Sequence, residues 1–539
     1  MAKKNILTKG KKIQAEQLAL DNRWEEAQAL YASICKADPM DAEAWAKMGA
    51  TRFRLGQHNE AESCARRALL LAPKLSFARQ TLATILQHQG KLDEASSILQ
   101  GSLAQQPNSS EALVNLARLR ENQGRQKEAF DLYHQALDLQ PESPYVLAKR
   151  GELLEKEGRL AEAETTLARG LAQTPGSPIL NLAAARLDRR SNRHAEAAAR
   201  LEAVLHQPMP QDLGMEIHLL LGQLHDRLGN TDKVLPHLLE GKRRMALVAD
   251  PDGSSRTRFL ARCDTARACL SDRLQHSSQK QPSSQNDAPV FLIGFPRSGT
   301  TLLEQILDSH PGLQTLDEKP MAEVMERAFL DMPPSGPDAL ADLSDAQITT
   351  LRRIYFDEAA HHVARQPNTL LVDKLPLNIV RVPLLWRVFP EARFILAIRH
   401  PCDVTLSCLM QSFGINDAMA GFDSLENVAE IYSRVMGAWL EYAERLPLHW
   451  QRIRYEDLIT NFEAETRTLL EFLGVGWSDT VLEHTRHAQQ RGIINTPSYH
   501  QVTQPIYQHA KYRWKRYEKE FAPAIKILQP FIEQFGYSK

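Results

Sequence analysis

Two stretches roughly a hundred residues apart carry the residue types needed to hold anions. Pro296-Arg297-Ser298-Gly299-Thr300-Thr301 follows the apolar run Val290-Phe291-Leu292-Ile293, and Arg399-His400-Pro401-Cys402-Asp403-Val404-Thr405-Leu406-Ser407 follows Phe394-Ile395-Leu396-Ala397-Ile398. Each reads as a strand that runs into a turn and then a helix. The N-terminus of a helix presents unpaired N–H groups and partial positive charge, which suits a phosphate. In the first stretch Gly294 and Gly299 permit a tight turn. Arg297 adds a charged fork, and Ser298, Thr300 and Thr301 add hydroxyl donors. Leu302, Leu303, Ile306 and Leu307 then form one apolar helical face. Together the stretches make a pocket with two phosphate clamps, as a nucleotide phosphorylated at both ends of its ribose requires. The Gly294-x4-Gly299 spacing is that of a nucleoside-triphosphate loop, but Thr300 stands where such loops need lysine. A grip on a γ-phosphate and Mg²⁺ is therefore not expected. Read without its context, Asp403 serves equally well as a helix cap.

Pro296 to Thr301 resembles the 5′-phosphosulfate loop of sulfotransferases that use 3′-phosphoadenylyl sulfate (PAPS). Arg399 and Ser407, eight residues apart, resemble the 3′-phosphate clamp of the same enzymes. The likeness is nearest to tyrosylprotein sulfotransferases and to bacterial sulfotransferases carrying tetratricopeptide repeats, and it runs from Pro289 to the last residue. Further segments follow in the same order. Asp317-Glu318, after His310-Pro311, implies Glu318 as the catalytic glutamate. Val372-Asp373-Lys374-Leu375-Pro376 implies Lys374 as the lysine that stabilises the transition state. Arg454-Tyr455-Glu456-Asp457-Leu458 implies Tyr455 against the adenine. Ser498, Gln501-Val502, Pro505 and Tyr507 fit a loop that closes over the cofactor, and Arg513 precedes Trp514 where the family has a basic residue. Some positions depart. Gln411 replaces an arginine four residues past the clamp serine, Pro320 and Val324 replace arginines that read acidic peptides, and Gln504 replaces a lysine. These changes leave the cofactor expectation in place and weaken that of a peptide-tyrosine acceptor.

What the resemblance implies is transfer of a sulfuryl group to an acceptor hydroxyl or amine, with PAPS as cosubstrate and no metal. Catalysis is then positioning and charge stabilisation, as in phosphoryl transfer. Glu318 takes the acceptor proton. Lys374 bonds the bridging oxygen, and Arg297 and Ser498 share the charge of the departing phosphate. Each assignment has a plainer rival. Glu318 reads also as a solvated acid, Lys374 as a snorkelling side chain, and Tyr455 as a core tyrosine. Cytosolic relatives use histidine as base, so His310, His361, His362 and His400 compete with Glu318. His310 reads as a helix terminus, His361 and His362 as surface residues, and His400 as a neighbour of the clamp.

The elements before residue 250 repeat with a period of 34. Pro39, Pro73, Pro107, Pro141 and Pro175 hold that interval, as do Ala27, Ala61, Ala95, Ala129, Ala163 and Ala197, each preceded by Glu. Asn22, Gly56, Gly90, Gly124, Gly158 and Asn192 mark turns, and Ala15, Gly49, Ala83, Ala117, Gly151 and Ala185 are small at a second fixed position. This is the tetratricopeptide pattern, in which small residues let paired helices approach and stacked pairs form a concave face. Past Pro208 the register slips, and further helices to about 270 are expected to cap the array and join it to the catalytic part. The face is expected to engage a partner or acceptor, or to pair two copies of the chain.

The 539 residues thus divide into a repeat array with capping helices over 1–270, a polar linker over 271–288, and a sulfotransferase domain over 289–539. The expected fold is multidomain: an all-α tetratricopeptide superhelix, then an α/β P-loop-like domain. Its strands fall near 290–294, 369–372, 393–398 and 451–455, alternating with helices, which predicts a parallel sheet with ligands at its carboxyl ends. A net charge of −1 gives no field toward nucleic acid or anionic membrane. The six cysteines show neither a secreted framework nor zinc spacing. No signal peptide or spanning run is read, so a cytoplasmic and bacterial enzyme is expected. The acceptor is left open among peptide, glycan and small molecule. The alternatives to a sulfotransferase are a nucleotide phosphotransferase, which the missing lysine opposes, and a non-catalytic scaffold, which intact Arg297, Glu318, Lys374, Arg399 and Ser407 oppose.

Overall fold

The computed structural model describes residues 2–20, 23–123, 125–250, 253–277, 288–333, 335–413, 416–490 and 511–538. It forms two compact units, Met1–Leu228 and Gly229–Lys539.

The first unit is helical from Ala2–Leu20 to Gln211–Leu228, and its middle is built of pairs such as Ala42–Arg54 with His58–Leu71 and Ser110–Asn122 with Gln126–Leu139. The 34-residue period has a packing cause. Ala27, Ala61, Ala95, Ala129, Ala163 and Ala197 are all wholly buried. The other small position faces them: a Cβ on Gly49 would stand 3.1 Å from the Ala61 carbonyl oxygen. Gly56, Gly90, Gly158 and Asn192 turn the chain between helices with φ of 60–78°. Charges add register between repeats. Arg186 bonds Glu152 at 2.6 Å and also Glu216, and Arg190 bonds Glu155 at 2.9 Å.

The unit boundary falls at Leu228 and Gly229 rather than near 270. Thr231–Ala249, Ser255–Ala268 and Asp272–Ser277, expected to close the array, lie instead with the second unit. Their polar side chains explain why. Arg258 pairs with Asp417 at 2.8 Å, Asp264 with Arg434 at 2.6 Å, and Arg267 with Glu441. Of the expected linker, 278–287 lies outside the described residues.

The second unit holds a five-stranded sheet of β1 (Val290–Gly294), β2 (Leu313–Asp317), β3 (Leu370–Lys374), β4 (Arg393–Ile398) and β5 (His449–Arg454). The strand order is β2-β3-β1-β4-β5 and every pair is parallel. This is the expected α/β arrangement, with β2 as an edge strand that was not foreseen. β1 is buried throughout, as its unbroken apolar run requires of a central parallel strand. Val290, Leu292, Val372, Ile395 and Ile453 pack with Leu303, Ile306 and Leu307 of the helix Thr300–Asp308. After β1 the chain crosses to β2, returns to β3, and then moves past β1 to β4. Such a reversal of strand order opens a crevice at the carboxyl ends beside β1. Among the described residues no helix is long and apolar enough to cross a membrane.

β1 and β4 approach closely at Gly294, where a Cβ would lie 2.5 Å from the Ala397 carbonyl oxygen. Gly294→Ala should therefore destabilise the second unit by about 1–3 kcal/mol through overpacking against backbone. Urea unfolding followed by the fluorescence of buried Trp386 and Trp439 checks this; an unchanged midpoint would show the contact to be harmless.

Candidate active site

The strand order sets the site out as a row. At the carboxyl ends stand Glu318 after β2, Lys374 closing β3, the 295–299 loop after β1, Arg399 after β4 and Tyr455 after β5. With strands ~4.8 Å apart, the ends of β3 and β4, which flank the loop, lie ~10 Å from each other.

Arg297 adopts a left-handed backbone with φ of 73°, and Gly299 follows at 96°. The Ser298 N–H donates to the Phe295 carbonyl at 3.2 Å, closing the turn before the helix Thr300–Asp308. Ser298, Thr300 and Thr301 are buried at this helix start. Arg297 Nε donates to Ser407 Oγ at 3.1 Å. That bond joins the first expected clamp to the helix Pro401–Leu409 of the second. The Arg399 guanidinium lies over the Tyr455 ring at 4.9 Å. A Cβ on Gly299 would meet that same ring at 2.8 Å. Arg297, Ser407, Arg399, Tyr455 and Gly299 therefore form one cluster.

Asp403 is not the cap of its helix. The cap is His400, whose Nδ1 accepts from the Cys402 N–H at 3.2 Å. Asp403 instead accepts from the Tyr512 and Trp514 N–H groups at 2.7 and 3.0 Å. Burial raises its pKa, while Arg399, these N–H groups and Arg513 oppose the rise. The carboxylate thus brings Arg513 into the surroundings of Arg399. His400 stacks on Trp514 at 5.3 Å, and its N–H donates to Glu456, which also accepts from Tyr537 Oη at 2.9 Å. Burial lowers the His400 pKa to about 4, so the ring stays neutral and structural.

On the other side of the loop, Lys374 is wholly buried and donates to Glu318 Oε1 at 2.8 Å and to Asp317. Burial works against the ammonium, but Asp317 and Glu318 outweigh it and hold the lysine pKa above its ordinary value. Lys374 is thus a paired ammonium and not a snorkelling side chain. Glu318 is 41% exposed and has a left-handed φ of 52°, fixed by its N–H donating to the Lys374 carbonyl at 2.8 Å. It is open to solvent yet tied to the lysine. The next residue up β3, Asp373, faces the other way, where it accepts from Tyr355 Oη at 2.7 Å in a buried setting.

The other competing histidines have their partners elsewhere. His310 Nδ1 accepts from the Gly312 N–H just past the loop helix, and His361 and His362 pair with Glu358 on the helix Asp345–His362. Ser498, Gln501, Val502 and Tyr507, with Gln504, lie outside the described residues. Two features escaped the sequence reading. The pairing of Asp317 with Lys374 follows from the register of β2 on β3, for which Asp317-Glu318 was the available cue. The tie from Asp403 to residues 512–514 has no local signal. Of the five described non-glycine residues with positive φ, Arg297, Glu318 and Tyr512 belong to this region, as expected where strain accompanies function.

Comparison with known proteins finds similarities in both parts of the chain. The sulfotransferase family matches residues 289–479, and tetratricopeptide repeat families match 42–75, 75–142, 122–187 and 182–233. An uncharacterized protein of Aquifex aeolicus is 31% identical over 256 residues, 45% of this chain and 32% of its own. The chain thus spans about a third of that relative. Protein-tyrosine sulfotransferase 1 of Danio rerio is 27% identical over 269 residues, covering 46% of this chain and 72% of its own. Among solved structures, a tetratricopeptide repeat protein from Parabacteroides merdae covers 44% of this chain and 93% of its own, at 16% identity and a TM-score of 0.37.

Burial raises the Asp373 pKa to about 7, against the opposing pull of Tyr355 and Arg381. The folded chain therefore keeps a proton that the unfolded chain releases near pH 4. By linkage, this group makes stability fall as pH rises from about 4 to about 7. Asp373→Asn keeps an acceptor for Tyr355 and removes the titration. Its stability against pH should be flatter across that window than that of the parent, as urea midpoints at several pH values would show.

Proposed function

We propose that the chain, whose residues 289–479 match the sulfotransferase family behind a series of tetratricopeptide repeats, transfers the sulfuryl group of PAPS to an acceptor hydroxyl. The observation that supports this reading is the Arg297–Ser407 hydrogen bond at 3.1 Å, which sets the turn after β1 beside the helix after β4. The loop N–H groups, Arg297, Ser298, Gly299, Thr300 and Thr301 would hold the 5′-phosphosulfate. Arg399 and Ser407, with Arg513 nearby, would hold the 3′-phosphate, and Tyr455 would lie against the adenine. The fit is chemical: cations, hydroxyls and an aromatic face converge at the carboxyl end of the sheet. PAPS supplies an electron-poor sulfuryl group on a phosphate already surrounded by cations.

Glu318 then accepts the acceptor proton as the new oxygen–sulfur bond forms. The sulfur–oxygen bond to the phosphate breaks in line, and Lys374 and Arg297 stabilise the charge left on the nucleotide. The exposure of Glu318 and its bond to Lys374 support this pairing of base and cation. Ser498 and the 501–507 segment are assigned to closure over the nucleotide from the family pattern.

The array is assigned to engaging an acceptor or partner protein. In support, Gln80, Thr84, Gln87, Asn115 and Arg118 stand side by side on successive repeats of the first unit, around a shallow crevice with Ala83 and Leu99. Such side chains suit the polar groups of a peptide. A hydroxyl acceptor such as protein tyrosine is within reach of the same chemistry. Pro320 and Val324, in place of basic residues, make an acidic peptide a poorer match than a neutral one.

Glu318→Gln should lower turnover by about 10²–10⁴-fold, the worth of a general base, while adenosine 3′,5′-bisphosphate binding stays close to the parent's. Single-turnover assays with labelled PAPS and calorimetry on the same variant make this comparison. Equal losses of both would give Glu318 a role in holding the nucleotide. Arg399→Ala should weaken a 3′-phosphorylated nucleotide by roughly 10–100-fold, as expected for loss of a charge-assisted bond, and should affect adenosine 5′-phosphosulfate far less. Indifference to the 3′-phosphate would reject the clamp.

A further inference from the structure

Lys242 lies on the helix Thr231–Ala249 of the second unit and is completely buried. Its ammonium donates to the Gln411 carbonyl at 2.7 Å, approaches the Cys408 carbonyl at 3.4 Å, and stands 5.6 Å from the Phe413 ring centre. These carbonyls form the end of the clamp helix Pro401–Leu409 and the residues just beyond it. Carbonyls in the last turn of a helix carry partial negative charge, and the Cys408 carbonyl here also accepts from the Gln411 N–H at 3.3 Å. Ser407 belongs to that same last turn. A phosphate held at Ser407 therefore sits at the repulsive end of a helix, the reverse of its placement on the loop helix.

A buried lysine is costly, and a methionine of similar length could fill the space without that cost. Burial lowers the Lys242 pKa to about 8, while the Cys408 thiol and the Asp423 carboxylate act the other way. At neutral pH the side chain is charged, and its charge faces the carbonyls behind Ser407.

We propose that Lys242 is a positioning residue for the nucleotide's 3′-phosphate, neutralising the carbonyl end of the clamp helix so that Ser407 can hold a dianion there. The proposal rests on the assignment of Arg399 and Ser407 to that phosphate. It also makes the nucleotide site depend on a helix that precedes the family-matched residues 289–479. The segment expected to cap the array would then be part of the catalytic machinery's support.

The test uses full-length Lys242→Gln, Lys242→Met and Lys242→Arg with the parent and Arg399→Ala. Affinities for adenosine 3′,5′-bisphosphate and adenosine 5′-monophosphate are measured by calorimetry, with melting temperatures alongside. Lys242→Gln keeps a hydrogen-bond donor, on a shorter side chain, and removes the charge. It should weaken the bisphosphate by about 5–30-fold, the range for a charge at a partly buried helix terminus, and leave the monophosphate nearly unchanged. Lys242→Met should show the same selectivity, and Lys242→Arg should restore most of the bisphosphate affinity. Should Lys242→Met unfold below the assay temperature, Lys242→Gln and Lys242→Arg decide the matter. Equal weakening of both nucleotides, or parent-like binding by Lys242→Gln, would overturn the proposal. Arg399→Ala that does not distinguish the two nucleotides would overturn the underlying clamp assignment and this proposal together.

Discussion

The guanidinium of Arg297 leaves a left-handed backbone beyond β1 and reaches the hydroxyl of Ser407, in the helix that follows the neighbouring strand β4. That single bond depends on β1 and β4 lying in register with Gly294 opposite Ala397, close enough that no side chain fits between. The parallel sheet ends its strands at one level, and the turns beyond them inherit that alignment. Residues more than a hundred positions apart in the chain are thereby brought into direct contact. A shift of β4 by one residue would turn its side chains to the other face and separate the two anion-binding turns.

Around this contact the second unit buries charge at many points, each compensated. Lys374 faces two carboxylates, Asp403 receives two backbone N–H groups, and Glu456 ties His400 to Tyr537. Arg381, also buried, bonds Glu326 at 2.8 Å and Glu323 at 3.1 Å beneath the lysine strand. Replacing such groups by apolar residues often stabilises a fold, whereas removing one partner is severe. Their concentration here is better explained by geometry than by stability. Each fixes the direction of a neighbouring side chain whose position the proposed chemistry needs.

The repeat array was legible because every unit solves the same problem with the same small residues, so the period is written six times over. β1 and β4 were legible because long apolar runs met abrupt changes to glycine, proline and arginine. β2 was not: Leu313-Gln314-Thr315-Leu316-Asp317 mixes polar and apolar residues, with Thr315 bonded to Asp308 and Gln314 to the Ala364 carbonyl. Those partners are tertiary and leave no periodic trace. Helices after Leu228 look like any others in sequence, and it is long-range contacts, among them ion pairs across more than 150 residues and the bonds of Lys242, that group them with the sheet unit. Asp403 showed its position but not its partners, since the backbone it binds lies 109 residues further on.

Arg297 and Glu318 share one conformational peculiarity, the left-handed backbone that ordinary side chains avoid. Holding each there costs on the order of 1–3 kcal/mol, a cost that glycine would largely escape. The most direct ways to toughen this half of the molecule therefore run through residues to which the proposed chemistry is assigned. Selection for heat resistance alone would favour variants that relax these two turns, at the expense of that chemistry.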